Sequence, residues 1–386
     1  MIKMIRRESR ERIVGIDWLE LYVNEGYSWD YSADGFRSRG YLVKEREYGT
    51  KTMEEMFTIC DSKGYPFIEV RRKPRGLDKG ATQTIYQEGD SYIKLSNMYC
   101  YDADPVGLLL EFVNREHYEI KKIYRIDLYT DFEIFDTGDK PANVVRRIVN
   151  HTYSKINQSH RRTSGEDTWT QCLDNWVAWG KAGSMVSTKI YDKTKELKDT
   201  GMHKSYILEN WKRAGYIDDV AHIMKDGHEV QMWRLEFSIK GNAKGWIYIK
   251  KDDSVDGEAH TLPHDLNLYS HRQGIVNAIA NLVPYYFRFK IYEEGKRKSL
   301  CKDKELFIFA PNEFENGYRL TNESDVDRVR HIDIEDDVIA CNHLVRAKLK
   351  LMGSEFDQTL TDVITKLQRR IDSKSTMQFG KHTDIF

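Results

Sequence analysis

No stretch of this chain approaches the roughly 20 consecutive apolar residues that a membrane-spanning helix needs, which excludes a helical membrane anchor. The opening Met1-Ile-Lys-Met-Ile-Arg-Arg-Glu-Ser-Arg10 turns charged before any apolar signal core develops, so a cytoplasmic location is expected. Cysteine is sparse. The five, Cys60, Cys100, Cys172, Cys301 and Cys341, are odd in number and form no Cys-x-x-Cys pair, which excludes a disulfide framework and a zinc knuckle. Sixty Lys and Arg face 61 Asp and Glu, so the chain as a whole lacks the basic excess of many nucleic-acid binders, and any such site must come from local patches. Neither Gly-x-x-x-x-Gly-Lys-Ser/Thr nor Gly-x-Gly-x-x-Gly occurs, which argues against an ATP-driven motor in this chain.

The 386 residues, 40% hydrophobic and 12% aromatic, suffice for one large domain and a smaller one. Local basic clusters stand at Arg71-Arg-Lys-Pro-Arg75, Arg161-Arg162, Lys290 to Lys298 and Lys366 to Arg370, each a phosphate contact or ordinary solvated surface. Strand patterns at Gly15 to Val23, Tyr65 to Arg72, Thr82 to Tyr86 and Ser91 to Ser96 predict antiparallel sheet. Helical spacing follows over Asp104 to His117, opened by an Asp-Pro cap.

A second cycle starts with a strand over Lys122 to Phe135 and a helix containing Val144, Val145, Ile148 and Val149. The weak likeness of Asp17-Trp-Leu-Glu-Leu-Tyr-Val23 to Arg125-Ile-Asp-Leu-Tyr-Thr-Asp131 fits either a duplication or a chance match of two short strands. Further helices are predicted over Ser205 to Met224 and, as far as Pro284, within residues 265–289. Strands are predicted over Glu229 to Lys240 and Glu305 to Ala310. The fold class is therefore α+β. A catalytic unit is expected over residues 1–310, in halves 1–118 and 119–310 if duplicated. A polar stretch from Asn312 to Arg330 then leads into helices at Asp336 to Met352 and Glu355 to Ile371, so residues 311–386 form a small, mainly helical region and a candidate specificity module.

Residues two apart on a strand share a face, so Arg125, Asp127, Tyr129 and Asp131 point one way, as do Lys189, Tyr191 and Lys193, and also Arg234 and Glu236. Ile126, Leu128, Ile190, Leu235 and Phe237 would face the core, leaving the polar face open to substrate. Transfer of a phosphodiester to tyrosine needs a phenolate, cationic neutralisation of the phosphate and a stabilised leaving oxygen. Tyr191 is then the candidate nucleophile, with Arg125, Arg234, Lys189 and Lys193 as candidate cations. Asp127, Glu236 and Asp131 are oxygen ligands of the kind that hold Mg²⁺ or Mn²⁺. The same types in the same places also make a packed tyrosine beside cross-strand ion pairs. Two further signals are weaker. Trp169, Trp176 and Trp179 are either core or stacking platforms for unpaired bases, and Pro263 disrupts the helix that His260, His264 and His271 would need to bind metal.

Arg125-Ile-Asp127, the segment Gly183-Ser-Met-Val-Ser-Thr-Lys-Ile-Tyr-Asp-Lys-Thr-Lys-Glu196 and Arg234-Leu-Glu-Phe237 together resemble the Rep_trans family of rolling-circle replication initiators, in order over roughly residues 13–310. The resemblance implies a twisted antiparallel sheet of duplicated halves with helices packed on it. It implies a nicking tyrosine at Tyr191 that forms a 5′-phosphotyrosyl link and releases a 3′-hydroxyl, with Asp127 and Glu236 at acidic strand positions near a metal. It also implies origin DNA, supercoiled or single-stranded, as substrate, with a host helicase and polymerase as partners and a homodimer as one assembly. No His-hydrophobic-His triplet occurs, so carboxylates would have to serve any metal, and the region after about Pro311 matches no motif. A relaxase acting at a transfer origin shares this chemistry, and a non-catalytic DNA-binding regulator on the same sheet is the alternative of another class.

Overall fold

The computed structural model describes residues 12–322 apart from 27–28, 76–86, 156–160, 163–175, 181–185, 202, 242–245, 251–259, 262–265, 298–299, 311–312 and 315–317. The strand expected at Thr82 to Tyr86, the helices expected beyond Asp336, and Trp169, His264 and Lys366 to Arg370 lie outside the described residues. The first run of elements is strand Ile13–Asn24 (β1), helix Ala33–Ser38 (α1), strands Leu42–Glu45 (β2), Met53–Cys60 (β3), Pro66–Pro74 (β4) and Asp90–Leu95 (β5), then helix Pro105–Arg115 (α2). The second opens with strand Glu119–Phe132 (β6), helix Pro141–Val149 (α3) and strands Tyr153–Lys155 (β7), Arg161–Arg162 (β8), Trp176–Trp179 (β9) and Val186–Asp192 (β10). Helices Lys193–Asp199 (α4) and Ser205–Arg213 (α5), strands Met224–Lys225 (β11), His228–Glu229 (β12) and Trp233–Lys240 (β13), and helix Arg272–Tyr286 (α6) follow.

Ten of these strands make one antiparallel sheet in the order β2-β3-β4-β5-β1-β6-β13-β10-β9-β8. The α+β expectation therefore holds. From the central β1–β6 pair outward, each first strand lies beside the last strand of its run: β1 beside β5, then β4, β3 and β2, and β6 beside β13, then β10, β9 and β8. Among the described residues three smaller antiparallel sheets join β11 to β12, Trp246–Lys250 to His260–Thr261 and Tyr318–Asn322, and β7 to Arg288–Ile291 and Asp303–Glu305. The segment from Asn312 to Arg330, read as merely polar, thus contains a strand.

Alternation explains the layering. Leu19, Leu21, Ile126, Leu128, Ile190, Leu235 and Phe237 bury on one face, against Phe36 of α1, Leu109 and Phe112 of α2, Val144 and Ile148 of α3 and Ile279 of α6. On the opposite face a second cluster, with Leu197 of α4 and Ile207, Leu208 and Trp211 of α5, covers Ile13 and Tyr129 at one end of the sheet. The face predicted to be open is therefore roofed at that end. Gly15 permits this roof, because a Cβ there would stand 2.8 Å from the Tyr129 ring.

Helix limits follow local chemistry. Asp104 caps α2, its side chain accepting from the Gly107 N–H at 2.8 Å, with Pro105 in the first turn as predicted. The helix expected to reach Met224 ends at Arg213, because Gly215 takes φ +74° just beyond the C-cap. Conversely, α6 runs through Pro284 to Tyr286. Of the strand expected over Glu305 to Ala310, only Glu305 is strand, as the last residue of Asp303–Glu305, although Leu306, Ile308 and Phe309 are buried.

Candidate active site

Three strands that carried the sequence signals lie side by side, β6 beside β13 beside β10. Their register sets Tyr191 opposite Arg234 and Arg234 opposite Asp131, with Lys189 opposite Glu236 one pleat away and Asp127 opposite Ser238. Tyr191, Arg234 and Asp131 are thus in line across the ladder, and a hydroxyl on one strand reaches a carboxylate on the diagonal of the next.

The Tyr191 hydroxyl donates to Glu236 Oε2 at 3.1 Å and accepts from Lys193 Nζ at 3.4 Å. Lys189 stands on the outer side, 3.7 Å from Glu236 and 4.1 Å from the Tyr191 ring centroid. Tyr191 is 9% exposed, whereas the Lys189 side chain is 43% exposed, so the hydroxyl sits where the buried network meets the open face. Burial, with Glu236 adding to it, holds the Tyr191 phenol well above its ordinary range, so the resting group is the neutral donor.

Lys193 corrects the strand reading. It is the first residue of α4, because Asp192 acts as N-cap and accepts from the Lys195 N–H at 2.8 Å. Its ammonium still turns back to Tyr191 and pairs with Glu196 at 2.6 Å, and Lys204 holds the other Glu196 oxygen at 2.7 Å. Burial first, and Arg234 second, push the Lys193 ammonium down to about 8.

Arg234 is fully buried and doubly bonded to Asp131, at 2.7 and 2.8 Å. Trp211 of α5 donates to the same carboxylate at 2.7 Å, and Arg234 Nη1 reaches Asp17 at 3.1 Å and the Tyr101 hydroxyl at 2.7 Å. Tyr101 in turn donates to Asp17 at 2.5 Å, and the guanidinium lies 3.9 Å from the Tyr129 ring centroid. Burial alone would raise the Asp17 carboxyl, but Arg234 and the Tyr101 hydroxyl bring it below its ordinary value. Sequence reasoning missed Asp17, Tyr101, Trp211 and Glu196 as members of this network. An acidic residue interrupting an apolar strand was the available signal for Asp17, and Tyr101 and Trp211 offered none. A cleft of about 140 Å³ between β1, α5 and the start of α6 shares Tyr101 and Tyr129 with the network but is not lined by any residue predicted for the site.

The three carboxylates proposed for a divalent ion do not assemble as a ligand set. Asp131 spends both oxygens on Arg234 and Trp211, and Asp127, 2% exposed, holds Arg125 through both of its own. Glu236 faces Tyr191 and Lys189, and among the described residues no three His, Cys, Asp or Glu side chains group as metal ligands. The donors present are charge-paired, and as arranged they do not fit Mg²⁺ or Mn²⁺. Burial nevertheless raises the Asp127 carboxyl despite Arg125.

The other sequence candidates separate in the same way. In the 71–75 cluster, Arg72 is paired with Glu25 and Glu55, Lys73 with Glu55, and Arg71 with Glu20, so much of that charge is internal. Trp179 is buried against Phe287, a core ring rather than a stacking platform. No described helix is long and apolar enough to cross a membrane.

No family model matches the sequence, and no curated protein matches it significantly. Among solved structures, the chain is similar to a rolling circle replication initiator protein from Geobacillus stearothermophilus, at 11% identity and a TM-score of 0.41, over 76% of this chain and 93% of that one.

Proposed function

We propose that the chain is a DNA strand-nicking and joining protein that starts rolling-circle replication through Tyr191. The observation that carries this reading is the Tyr191 hydroxyl set between a carboxylate acceptor, Glu236, and an ammonium donor, Lys193, on the segment whose sequence resembles the nicking tyrosine of replication initiators. Attack forms a bond from the phenolic oxygen to phosphorus and breaks the bond from phosphorus to the 3′ oxygen. The phenol proton passes to Glu236, the leaving 3′ oxygen takes a proton to become the priming hydroxyl, and the 5′-phosphate stays on Tyr191. Joining is the reverse, with a 3′-hydroxyl attacking the phosphotyrosine. Lys193 stabilises the developing phenolate, Lys189 and Arg125 lie on the accessible side for the phosphate, and Arg234 orients the tyrosine strand from beneath. Unwinding and synthesis fall to a separate helicase and polymerase.

The test is direct. Labelled single strands tiled across the DNA adjoining the gene are incubated with the protein and resolved under denaturing conditions. One strand is expected to give a protein–DNA band that survives denaturation and to release a free 3′-hydroxyl. The fully paired Arg234 network supports a second reading, a non-catalytic DNA-binding protein built on the same sheet, and binding to these strands without any adduct selects it. A relaxase would give the same adduct with transfer-origin DNA, and adjacent genes for a coupling protein or integrase would mark it.

Lys193 supplies a pH prediction. Its ammonium, titrating at about 8, is the form that donates to the phenolic oxygen, so single-turnover cleavage is expected to fall as pH rises through that value. Lys193→Met is expected to be roughly 100-fold slower and to lack this descending limb. A wild-type rate that climbs steadily from pH 7 to 9.5 would instead assign Lys193 as a base.

A further inference from the structure

Beyond the roofed end, the face that bears Tyr191 continues across β6, β1, β5 and β4, where rings and cations meet in a row. A register shift in the β1–β6 pairing between Ile16 and Trp18 gives this face two successive side chains. Asp17 goes to Arg234, and Trp18 goes to the row. The Trp18 ring lies between Lys94 Nζ, 3.2 Å from its centroid, and the Arg125 guanidinium, 4.3 Å away. Its Nε1–H donates to Glu20 at 2.9 Å, which fixes the indole plane.

Further along β1, Lys122 Nζ stands 5.6 Å from the Tyr22 ring centroid. Tyr22 is 5.2 Å from Tyr92, and Tyr92 is 4.4 Å from Tyr124, which is 39% exposed. Among the described residues neither Lys94 nor Lys122 forms an ion pair with a carboxylate, unlike Arg71 beside them, which is paired with Glu20 and Glu69. An ordinary solvated sheet face matches its charges. Here Lys94 and Lys122 lie against aromatic rings outside ion-pair distance of any described carboxylate, although Glu20 and Glu69 flank Lys94 in the register.

We infer that this row, from Trp18 to Tyr124, is a track for single-stranded DNA leading to Tyr191. Unpaired bases offer π-faces to the exposed Tyr124 ring, and phosphates offer charge to Lys94, Lys122 and the Arg125 beside Trp18, with buried Tyr92 supporting Tyr124 from the side, whereas duplex DNA hides its base faces. Trp18 and Tyr22 are four residues apart, about 13 Å at roughly 3.3 Å per residue, the length of about four stacked bases. Arg125 joins the track to the candidate site, touching Trp18 on one side and Asp127 on the other. The inference rests on the nicking reading only for where the strand ends.

Fluorescence anisotropy of the full chain with a labelled 20-nucleotide oligothymidylate tests it. Tyr124→Ala with Lys122→Ala is expected to weaken binding about tenfold to hundredfold, and the salt slope to fall by about 0.7 for the one lysine removed. The matched surface pair Tyr48→Ala with Lys51→Ala, on the exposed β2–β3 connection, is expected to change neither. Unchanged affinity in the Tyr124/Lys122 variant, no binding by the wild type, or equal competition by unlabelled duplex each overturns the track. A variant that loses oligothymidylate binding in a protein that never forms a Tyr191 adduct keeps the track and removes the nicking reading. Normal adduct formation with unchanged binding does the reverse.

Discussion

Tyr191→Phe is expected to abolish the covalent protein–DNA band and to lower strand cleavage by about 10⁴-fold or more, because the substitution removes the one atom that forms the new bond to phosphorus. The ring, its burial and its place opposite Arg234 are kept. The partners that lose a hydrogen bond are Glu236, which retains Lys189, and Lys193, which retains Glu196, so the stability cost is expected to be about 1 kcal/mol. Oligonucleotide affinity is expected to stay within about twofold, since the hydroxyl is one contact among the many that bind a strand. These three readouts separate a nucleophile from a packing residue. A phenylalanine variant that still carries DNA through a denaturing gel would move the nucleophile to another of the 23 tyrosines, and peptide mapping of the adduct would then name it.

The sequence made the three strands legible because alternation reports which side chains share a face. It assigned Ile126, Leu128, Ile190, Leu235 and Phe237 to the buried side, where they lie. Alternation does not report register or what packs above. Whether Asp131 is open to a metal or sealed under Trp211 depends on a helix about 80 positions away, and no local pattern predicts that meeting. The Arg125–Asp127 pair was within reach of sequence reasoning, since opposite charges two apart on one strand face are neighbours, and it weakens Asp127 as a ligand. The Asp192 cap and the Gly215 stop were also written in the chain, and the first moves Lys193 from strand to helix. Asp17 reaches Arg234 where the β1 register shifts, and a shift of one residue leaves no mark in the composition of a strand.

Arg234→Met is expected to lower the free energy of unfolding by about 3–5 kcal/mol, a large part of the roughly 5–15 kcal/mol that a folded domain has, because it leaves Asp131 fully buried without its cation. Urea denaturation at pH 7 measures the loss. Asp17 gives the effect a pH dependence. Its carboxyl lies below the ordinary value of 3.8, with Arg234 the first cause acting downward against burial, so it contributes stability above that value and loses it as pH falls through the folded value. Without Arg234 that contribution is gone, so the gap between wild type and variant should be widest near neutrality and should narrow below about pH 4. Arg234→Met combined with Asp131→Leu removes both buried charges and is expected to recover most of the lost stability, giving a coupling energy above about 2 kcal/mol in the double-mutant cycle. The recovered double variant is also informative for the site. It keeps β13 folded between β6 and β10 while taking away the guanidinium opposite Tyr191, so slow cleavage in that protein would trace to the lost cation rather than to unfolding. Full-rate cleavage would confine Arg234 to holding the sheet together.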